Sequence, residues 1–180
     1  MNRIPSFLRR IVPALLVSAA AVAAPTAALA AYPEQPIKMI VGYGAGGGTD
    51  IIARVMAPYI AKYLGNNASI VVHNRAGAGG AIGFSELARA PADGYTIGFV
   101  NTPNVLTIPI ERKVDFTWQS FDLLGNVIDD PGNFSVHTDS PIKDLKGLVA
   151  HAKANPGAVT YGTTGIGSVD HLAAMQVERG

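Results

Sequence analysis

The chain has 180 residues, of which 48% are hydrophobic, a net charge of +1 at pH 7 and no cysteine. This length permits one ordinary domain. A near-neutral charge argues against a nucleic-acid partner, which selects a basic face, and the lack of cysteine excludes disulfides, thiol catalysis and cysteine metal sites.

The first 30 residues have the pattern of a secretory signal peptide. Three arginines precede an apolar stretch over residues 11–24, and the small residues Ala28 and Ala30 suit a cleavage site. The apolar stretch is shorter than the roughly 20 residues that a membrane span needs. We therefore predict a signal peptide over residues 1–30, and an exported mature chain that begins near Ala31.

A strand, a glycine-rich loop and a helix follow. Residues 37–41 are an apolar run, residues 42–48 hold five glycines, and Thr49 or Asp50 suits the N-cap of the helix. Glycines at a helix N-terminus let an anion approach backbone N–H groups, whereas the alternative is a tight turn without a ligand. Pro58 predicts a kink. A 3.6-residue period predicts that the buried face of the helix consists of Ile51, Ile52, Val55, Met56, Tyr59, Ile60, Tyr63 and Leu64.

Two nucleotide-binding motifs compete for the same loop. Gly42, Gly44 and Gly47 fit G-x-G-x-x-G, but the next strand does not end in the carboxylate that would hold a ribose. A P-loop requires Lys-Ser or Lys-Thr where this chain has Gly48-Thr49. Both nucleotide interpretations are weak.

The elements up to residue 100 predict a parallel sheet. Residues 69–73 form the second strand, a second glycine-rich loop covers residues 74–80, a short helix follows, and residues 95–100 form the third strand. Strands separated by helices imply right-handed crossovers. Ligands bind beyond the carboxyl ends of such strands, where both glycine loops lie.

The remainder repeats the arrangement less regularly. Ser140 suits the cap of a helix over residues 142–154, and a glycine loop at residues 164–168 precedes a helix over residues 169–178. Strands are predicted at residues 121–128, 134–137 and 159–163.

Five motifs carry a resemblance to a known family. They are YPEQPI at residues 32–37, AGGGTD at 45–50, NRAGAGG at 74–80, PADGYT at 91–96 and GIGSVDHL at 165–172. With these motifs in this order, the chain resembles the tripartite tricarboxylate transporter substrate-binding proteins, the TctC or Bug family of periplasmic solute receptors.

The resemblance implies an α/β fold of the type II periplasmic-binding-protein kind, a two-lobed Venus flytrap. Family members run to roughly 300 mature residues, which suits two domains, and their chain returns to complete the first lobe. We therefore expect residues 31–125 to hold an incomplete first lobe and residues 126–180 to hold the truncated beginning of the second.

The resemblance also implies a carboxylate site between two loops, held by backbone amides, hydroxyls and ordered waters. A small carboxylate solute is then the partner, membrane transporter subunits are candidate partners, and the complete protein is expected to be a periplasmic monomer. Asp50 would repel an anion, so we expect it to cap its helix or orient loop amides. The implied site residues are Ala45, Gly46, Gly47, Gly48, Thr49 and Asp50, opposite Thr164, Gly167, Ser168 and His171.

Three positions need separate consideration. The family usually has proline where Gly44 and Ala76 stand, which predicts looser loops. Arg75 has two interpretations, a counter-charge for a second ligand carboxylate or a surface ion pair.

An enzyme and a non-functional fragment are the alternatives. Ser168, Asp170 and His171 are the residue types of a hydrolase triad, but they share one helix turn and no G-x-S-x-G elbow is present. The four histidines show no i, i+4 pairing. We expect a binding protein without a metal or cofactor, or a truncated fragment of one that exposes sheet edge and apolar surface.

Overall fold

Strands and helices alternate through the first half of the chain. The computed structural model describes residues 32–179, so the predicted signal peptide lies outside the described residues. Two 3₁₀ turns occupy Ala78–Gly80 and Trp118–Ser120. The other elements in chain order are β1 Ile37–Val41, α1 Gly48–Leu64, β2 Ile70–Asn74, α2 Ala81–Ala88, β3 Thr96–Gly98, α3 Asn104–Glu111, α4 Leu145–Ala154 and α5 Val169–Arg179.

The sheet of the described residues is parallel, in the order β2-β1-β3. Met39 of β1 pairs with Val72 on one side and with Ile97 on the other. Strand β1 is almost wholly buried because it is central and has helices on both faces. The three predicted strands and their parallel arrangement are confirmed, and the loops that follow them share one edge of the sheet.

Each face of the sheet carries its own apolar core. On one face, Ala53 of α1 packs with Met39 and Val41. On the other, Phe84 of α2 belongs to a buried cluster with Phe116, and the two rings meet edge to face with their centroids 5.8 Å apart.

The buried face of α1 differs from the predicted one. Its buried residues are Asp50, Ala53 and Ala57, because small side chains let the helix backbone lie close to the sheet. The N-cap is Gly47 rather than Thr49 or Asp50, and the helix continues through Pro58 to its end. Five residues of the predicted stripe are instead exposed, namely Ile51, Val55, Tyr59, Tyr63 and Leu64.

The second half contains helices but lacks the predicted strands. Residues 121–128, 134–137 and 159–163 are all described, and none forms a strand. An isolated strand has no ladder to join, and Leu124 in the first of these segments is 90% exposed. Helix α3 was not predicted.

Helix α4 begins later than predicted. Its N-cap is Asp144 rather than Ser140, and Asp144 Oδ1 accepts from the Gly147 N–H at 2.7 Å.

A compact unit starts at Pro33, and the lobe boundary at residues 125/126 stays a prediction. Over the described part of the chain, every helix is too short or too polar to cross a membrane.

Candidate functional site

The loop after β1 exposes backbone at the start of α1. Residues 44–48 are exposed, and the Gly47 N–H donates to the Gly44 carbonyl at 3.2 Å. Gly46 has a φ of +82°, a conformation that favours glycine. No described side chain caps the first turn of α1. An open helix N-terminus is an anion-binding arrangement.

Asp50 faces this loop from inside the fold. Its side chain belongs to a residue that is only 2% exposed. Oδ2 accepts from the Gly46 N–H at 2.8 Å and from Arg54 Nε at 3.0 Å, and Oδ1 accepts from Asn74 Nδ2 at 2.9 Å. The Arg54 hydrogen bond, followed by those from Gly46 and Asn74, lowers the pKa of Asp50 from 3.8 to about 2. Asp50 therefore orients the loop, and its carboxylate is already hydrogen-bonded to Gly46, Arg54 and Asn74.

Asn74 extends the network to the end of β2. Its Nδ2 also donates to the Tyr43 carbonyl at 3.1 Å, and its Oδ1 accepts from Arg54 Nη2 at 3.0 Å. Sequence reasoning missed both Asn74 and Arg54. The available signal for Asn74 was its place at the carboxyl end of a strand, where polar side chains face the ligand edge.

Acid should destabilise the fold partly through Asp50. A carboxylate whose pKa is lower in the folded state contributes stability above its ordinary pKa, and loses that contribution as the pH falls toward the folded value. We expect the free energy of unfolding to decrease from about pH 4 to pH 2, and Asp50→Asn to flatten that decrease. Urea titrations of both proteins over this range would measure it. Parallel curves would contradict the assignment, since other carboxylates titrate in both proteins.

The loop before α5 is held by its own helix. Asp170 Oδ2 accepts from the Thr164 N–H at 2.7 Å, and Oδ1 accepts from Thr164 Oγ1 at 3.1 Å. Burial opposes ionisation of Asp170, but hydrogen bonds from Ser168 and Thr164 outweigh it and lower the pKa of Asp170. Both hydrogen-bond donors of Thr164, its backbone N–H and its hydroxyl, are therefore engaged with Asp170.

His171 and Ser168 do not form a hydrolase arrangement. His171 Nδ1 accepts from the Gly167 N–H at 3.1 Å, so a neutral imidazole carries its proton on Nε2. Ser168 is 1% exposed, and its Oγ accepts from the His171 backbone N–H at 3.3 Å. A buried hydroxyl engaged in this way is not poised as a nucleophile.

The glycine loops meet around Gly79. Tyr43 Oη donates to the Gly79 carbonyl at 3.4 Å, and a Cβ on Gly165 would lie 3.2 Å from Gly79 Cα. Burial, and secondarily the charge of Asp170, raises the pKa of Tyr43 to about 12. The structure therefore links the loop after β1, through Tyr43, to Gly79 in the loop after β2, and Gly79 in turn lies against Gly165 in the loop before α5.

The segment after β3 supplies two further residues that the sequence did not single out. Asn101 Nδ2 donates to Thr49 Oγ1 at 3.2 Å, while its Oδ1 is buried without a hydrogen-bond partner among the described residues. Asn104 is 4% exposed, and its Nδ2 donates to the Gly79 carbonyl at 3.0 Å. Both lie beyond the carboxyl end of a strand, which was the available signal.

Arg75 forms an ion pair rather than an open counter-charge. Its Nε lies 2.7 Å from Glu86 Oε2, and Lys38 Nζ lies 2.5 Å from Glu86 Oε1. The Lys38 hydrogen bond lowers the pKa of Glu86, and Arg75 adds to this. The surface-pair interpretation of Arg75 is favoured.

In the portion covered by the structure, no cluster of three or more His, Asp or Glu side chains is arranged to bind a metal ion.

Comparisons with known proteins agree on one family. Residues 52–180 match the family described as tripartite tricarboxylate transporter family receptor, TctC. The chain is similar to protein BugT of Bordetella pertussis, at 35% identity over 88% of this chain and 48% of that protein. The chain thus spans about half the length of the curated relatives it matches.

Solved structures show the same likeness. One titled as a periplasmic transporter superposes with a TM-score of 0.66 at 33% identity, over 83% of this chain and 50% of the other. A second, titled R. palustris Rpa4515 with adipate, gives a TM-score of 0.63 at 26% identity, over 79% and 48%. The α/β fold of periplasmic binding proteins is confirmed for the part that this chain covers.

Proposed function

The chain belongs to the tripartite tricarboxylate transporter family of receptors, TctC, and from that premise we propose that it captures a small carboxylate-bearing solute. The observation that carries the proposal is the exposed glycine loop at the uncapped N-terminus of α1. The carboxylate nearest to this loop, that of Asp50, accepts hydrogen bonds from Arg54 and Asn74. The loop can therefore receive an anion without facing an unpaired carboxylate.

Neutral donors are sufficient for such a ligand. The AGGGTD loop contains no lysine or arginine, so the donors are the backbone amides at the start of α1 and the Thr49 hydroxyl. The Gly46 and Gly47 N–H groups already donate to Asp50 Oδ2 and to the Gly44 carbonyl. Hydrogen bonds to a charged group contribute about 1.5–3 kcal/mol each. A few of them reach the roughly 8 kcal/mol that corresponds to micromolar affinity.

The two loops differ in how open they are. Ala45, Gly46, Gly47 and Gly48 are exposed, whereas Gly167 and Ser168 are buried and Thr164 is engaged with Asp170. We assign the carboxylate contacts of this conformation to residues 45–49, and not to Gly44. The Nε2–H of His171, in the first turn of α5, is the donor that we add to these contacts, and the residues of the loop before α5 hold the shape of that loop.

The same premise supports the location and the partners. A relative in this family is named BugT, and a structural neighbour is titled as a periplasmic transporter. We propose a periplasmic receptor that delivers its solute to membrane transporter subunits. A non-functional fragment is the second candidate, favoured by exposed apolar side chains such as Leu124 and Ile110.

Adipate binding tests the proposal. At a hundredfold excess over its dissociation constant, adipate should raise the free energy of unfolding by about 2.7 kcal/mol, measured as a thermal shift of the mature chain. Adipamide has the same length without the charge, and should give no shift. Succinate and citrate extend the series to shorter and tricarboxylate ligands. If none of the carboxylates raises the melting temperature, the fragment interpretation replaces the receptor.

A further inference from the structure

Helix α3 contacts both the loop after β2 and the loop before α5. Asn104 and Thr107 lie three residues apart and so share a face of the helix. Asn104 Nδ2 donates to the Gly79 carbonyl at 3.0 Å. Thr107 Oγ1 donates to the Gly167 carbonyl at 2.9 Å, across 60 residues of chain. One helix face thus holds a carbonyl from each loop.

The two loops touch where α3 holds them. A Cβ on Gly165 would lie 3.2 Å from Gly79 Cα, and a Cβ on Gly167 would lie 2.6 Å from Thr107 Oγ1. Gly167 also has a φ of +78°. These approaches leave no room for larger side chains, so the hydroxyl of Thr107 meets the loop backbone directly.

Three hydrogen bonds fix the peptide groups on either side of Gly167. Its carbonyl accepts from Thr107, its N–H donates to His171 Nδ1 at 3.1 Å, and the following Ser168 N–H donates to the Gly165 carbonyl at 3.2 Å. The first of these is the one that comes from outside the loop and its helix. It therefore fixes the position of the loop, whereas the other two fix its internal shape.

We propose that Asn104 and Thr107 are positioning residues of the carboxylate site. They hold the loops of residues 75–80 and 164–168 together, and so set where His171 stands relative to the first glycine loop. This inference rests on the proposed function for its effect on binding, but the bridge itself is a property of the unliganded chain.

The Thr107 hydroxyl has alternative acceptors on its own helix. The Pro103 carbonyl lies 3.3 Å away and the Asn104 carbonyl 3.5 Å away. A hydroxyl has one hydrogen to donate, and the shortest of the three distances is to Gly167. If the loop moves away, the hydroxyl can return to the Pro103 carbonyl, the usual helix back-bond of threonine. The bridge can therefore open without burying an unpaired donor.

Two substitutions separate the hydroxyl from the shape of the side chain. Thr107→Val keeps the shape and removes the hydroxyl, whereas Thr107→Ser keeps the hydroxyl and removes the methyl. In the full unliganded chain, we expect amide exchange at Gly167, Ser168 and His171 to be about 2- to 12-fold faster in Thr107→Val. Thr107→Ser should exchange at the wild-type rate. Thr117→Val is the matched control, because its hydroxyl caps the turn at Trp118–Ser120 instead.

Adipate titration of the same proteins gives the second measurement. Thr107→Val should weaken adipate binding by a similar factor, while Thr107→Ser and Thr117→Val bind as the wild type does. Equal exchange in the valine and serine variants, or faster exchange that extends to β1, would overturn the bridge. Unchanged adipate affinity in a chain with a loosened loop would overturn its role in binding. A wild-type chain that does not bind adipate contradicts the proposed function. The amide exchange of the Thr107 variants then tests by itself whether the bridge exists.

Discussion

Replacing Gly83 by alanine should lower the free energy of unfolding by about 1–3 kcal/mol, although alanine is the better helix former. A Cβ at position 83 would lie 2.6 Å from Gly42 Cα and 3.3 Å from the Arg75 carbonyl oxygen. Both neighbours are backbone atoms, which cannot rotate away as a side chain can. Helix α2 would have to move off the sheet, and Phe84 beside it anchors the core.

Gly48→Ala is the matched control for this substitution. Gly48 is also helical, and no other described atom lies within 4 Å of a Cβ built on it, apart from its neighbours in the chain and helix. Urea denaturation should therefore show unchanged or slightly raised stability for Gly48→Ala. If Gly83→Ala were at least as stable as the wild type, α2 would not pack against the Gly42 backbone as described.

Gly48→Val should weaken adipate binding by at least about 100-fold, the equivalent of two lost hydrogen bonds to a charged group. The residue is exposed at the first position of α1. Because a Cβ there meets open space within the described structure, the fold should tolerate the substitution. A branched side chain would nevertheless fill the volume through which a carboxylate reaches the helix N-terminus. Gly47 is a less clean choice, since its Cβ would lie 3.2 Å from the Gly44 carbonyl oxygen.

Gly44→Val controls for a valine in the same loop. A Cβ on Gly44 also has no described atom within 4 Å beyond its chain neighbours, and Gly44 is not among the residues to which we assign the ligand. Calorimetric titration should give wild-type affinity for Gly44→Val, with both variants melting near the wild-type temperature without ligand. Tight adipate binding by Gly48→Val would place the carboxylate elsewhere.

Local patterns were enough to predict the first three strands and the glycine loops that follow them at one edge of the sheet. Apolar runs, glycines and helix periods are short-range signals, and β1, β2 and β3 fall within one or two residues of their predicted bounds. The expectation that Asp50 orients loop amides agrees with its hydrogen bond from the Gly46 N–H. The roles of the predicted site residues in binding stay predictions.

Features that depend on contacts between distant parts of the chain could not be predicted from the sequence. Helix α1 has apolar residues on more than one face, so periodicity could not show that Ala53 and Ala57 face the sheet. A strand forms only beside a partner, and the apolar run at residues 121–128 has none among the described residues. The contact from Thr107 to Gly167 joins residues 60 positions apart, and no local pattern encodes it.

The central place of β1 in the sheet has a consequence for synthesis. This strand is made first, but both of its partners come later, the second at Thr96–Gly98. Translation proceeds at about 5–20 residues per second. The synthesis of β3 is therefore completed roughly 3–12 s after that of the apolar β1 segment. During that interval it is an unpaired, β-prone segment that other nascent chains or chaperones can capture. The yield of this protein should therefore depend on how quickly β3 becomes available to pair with β1.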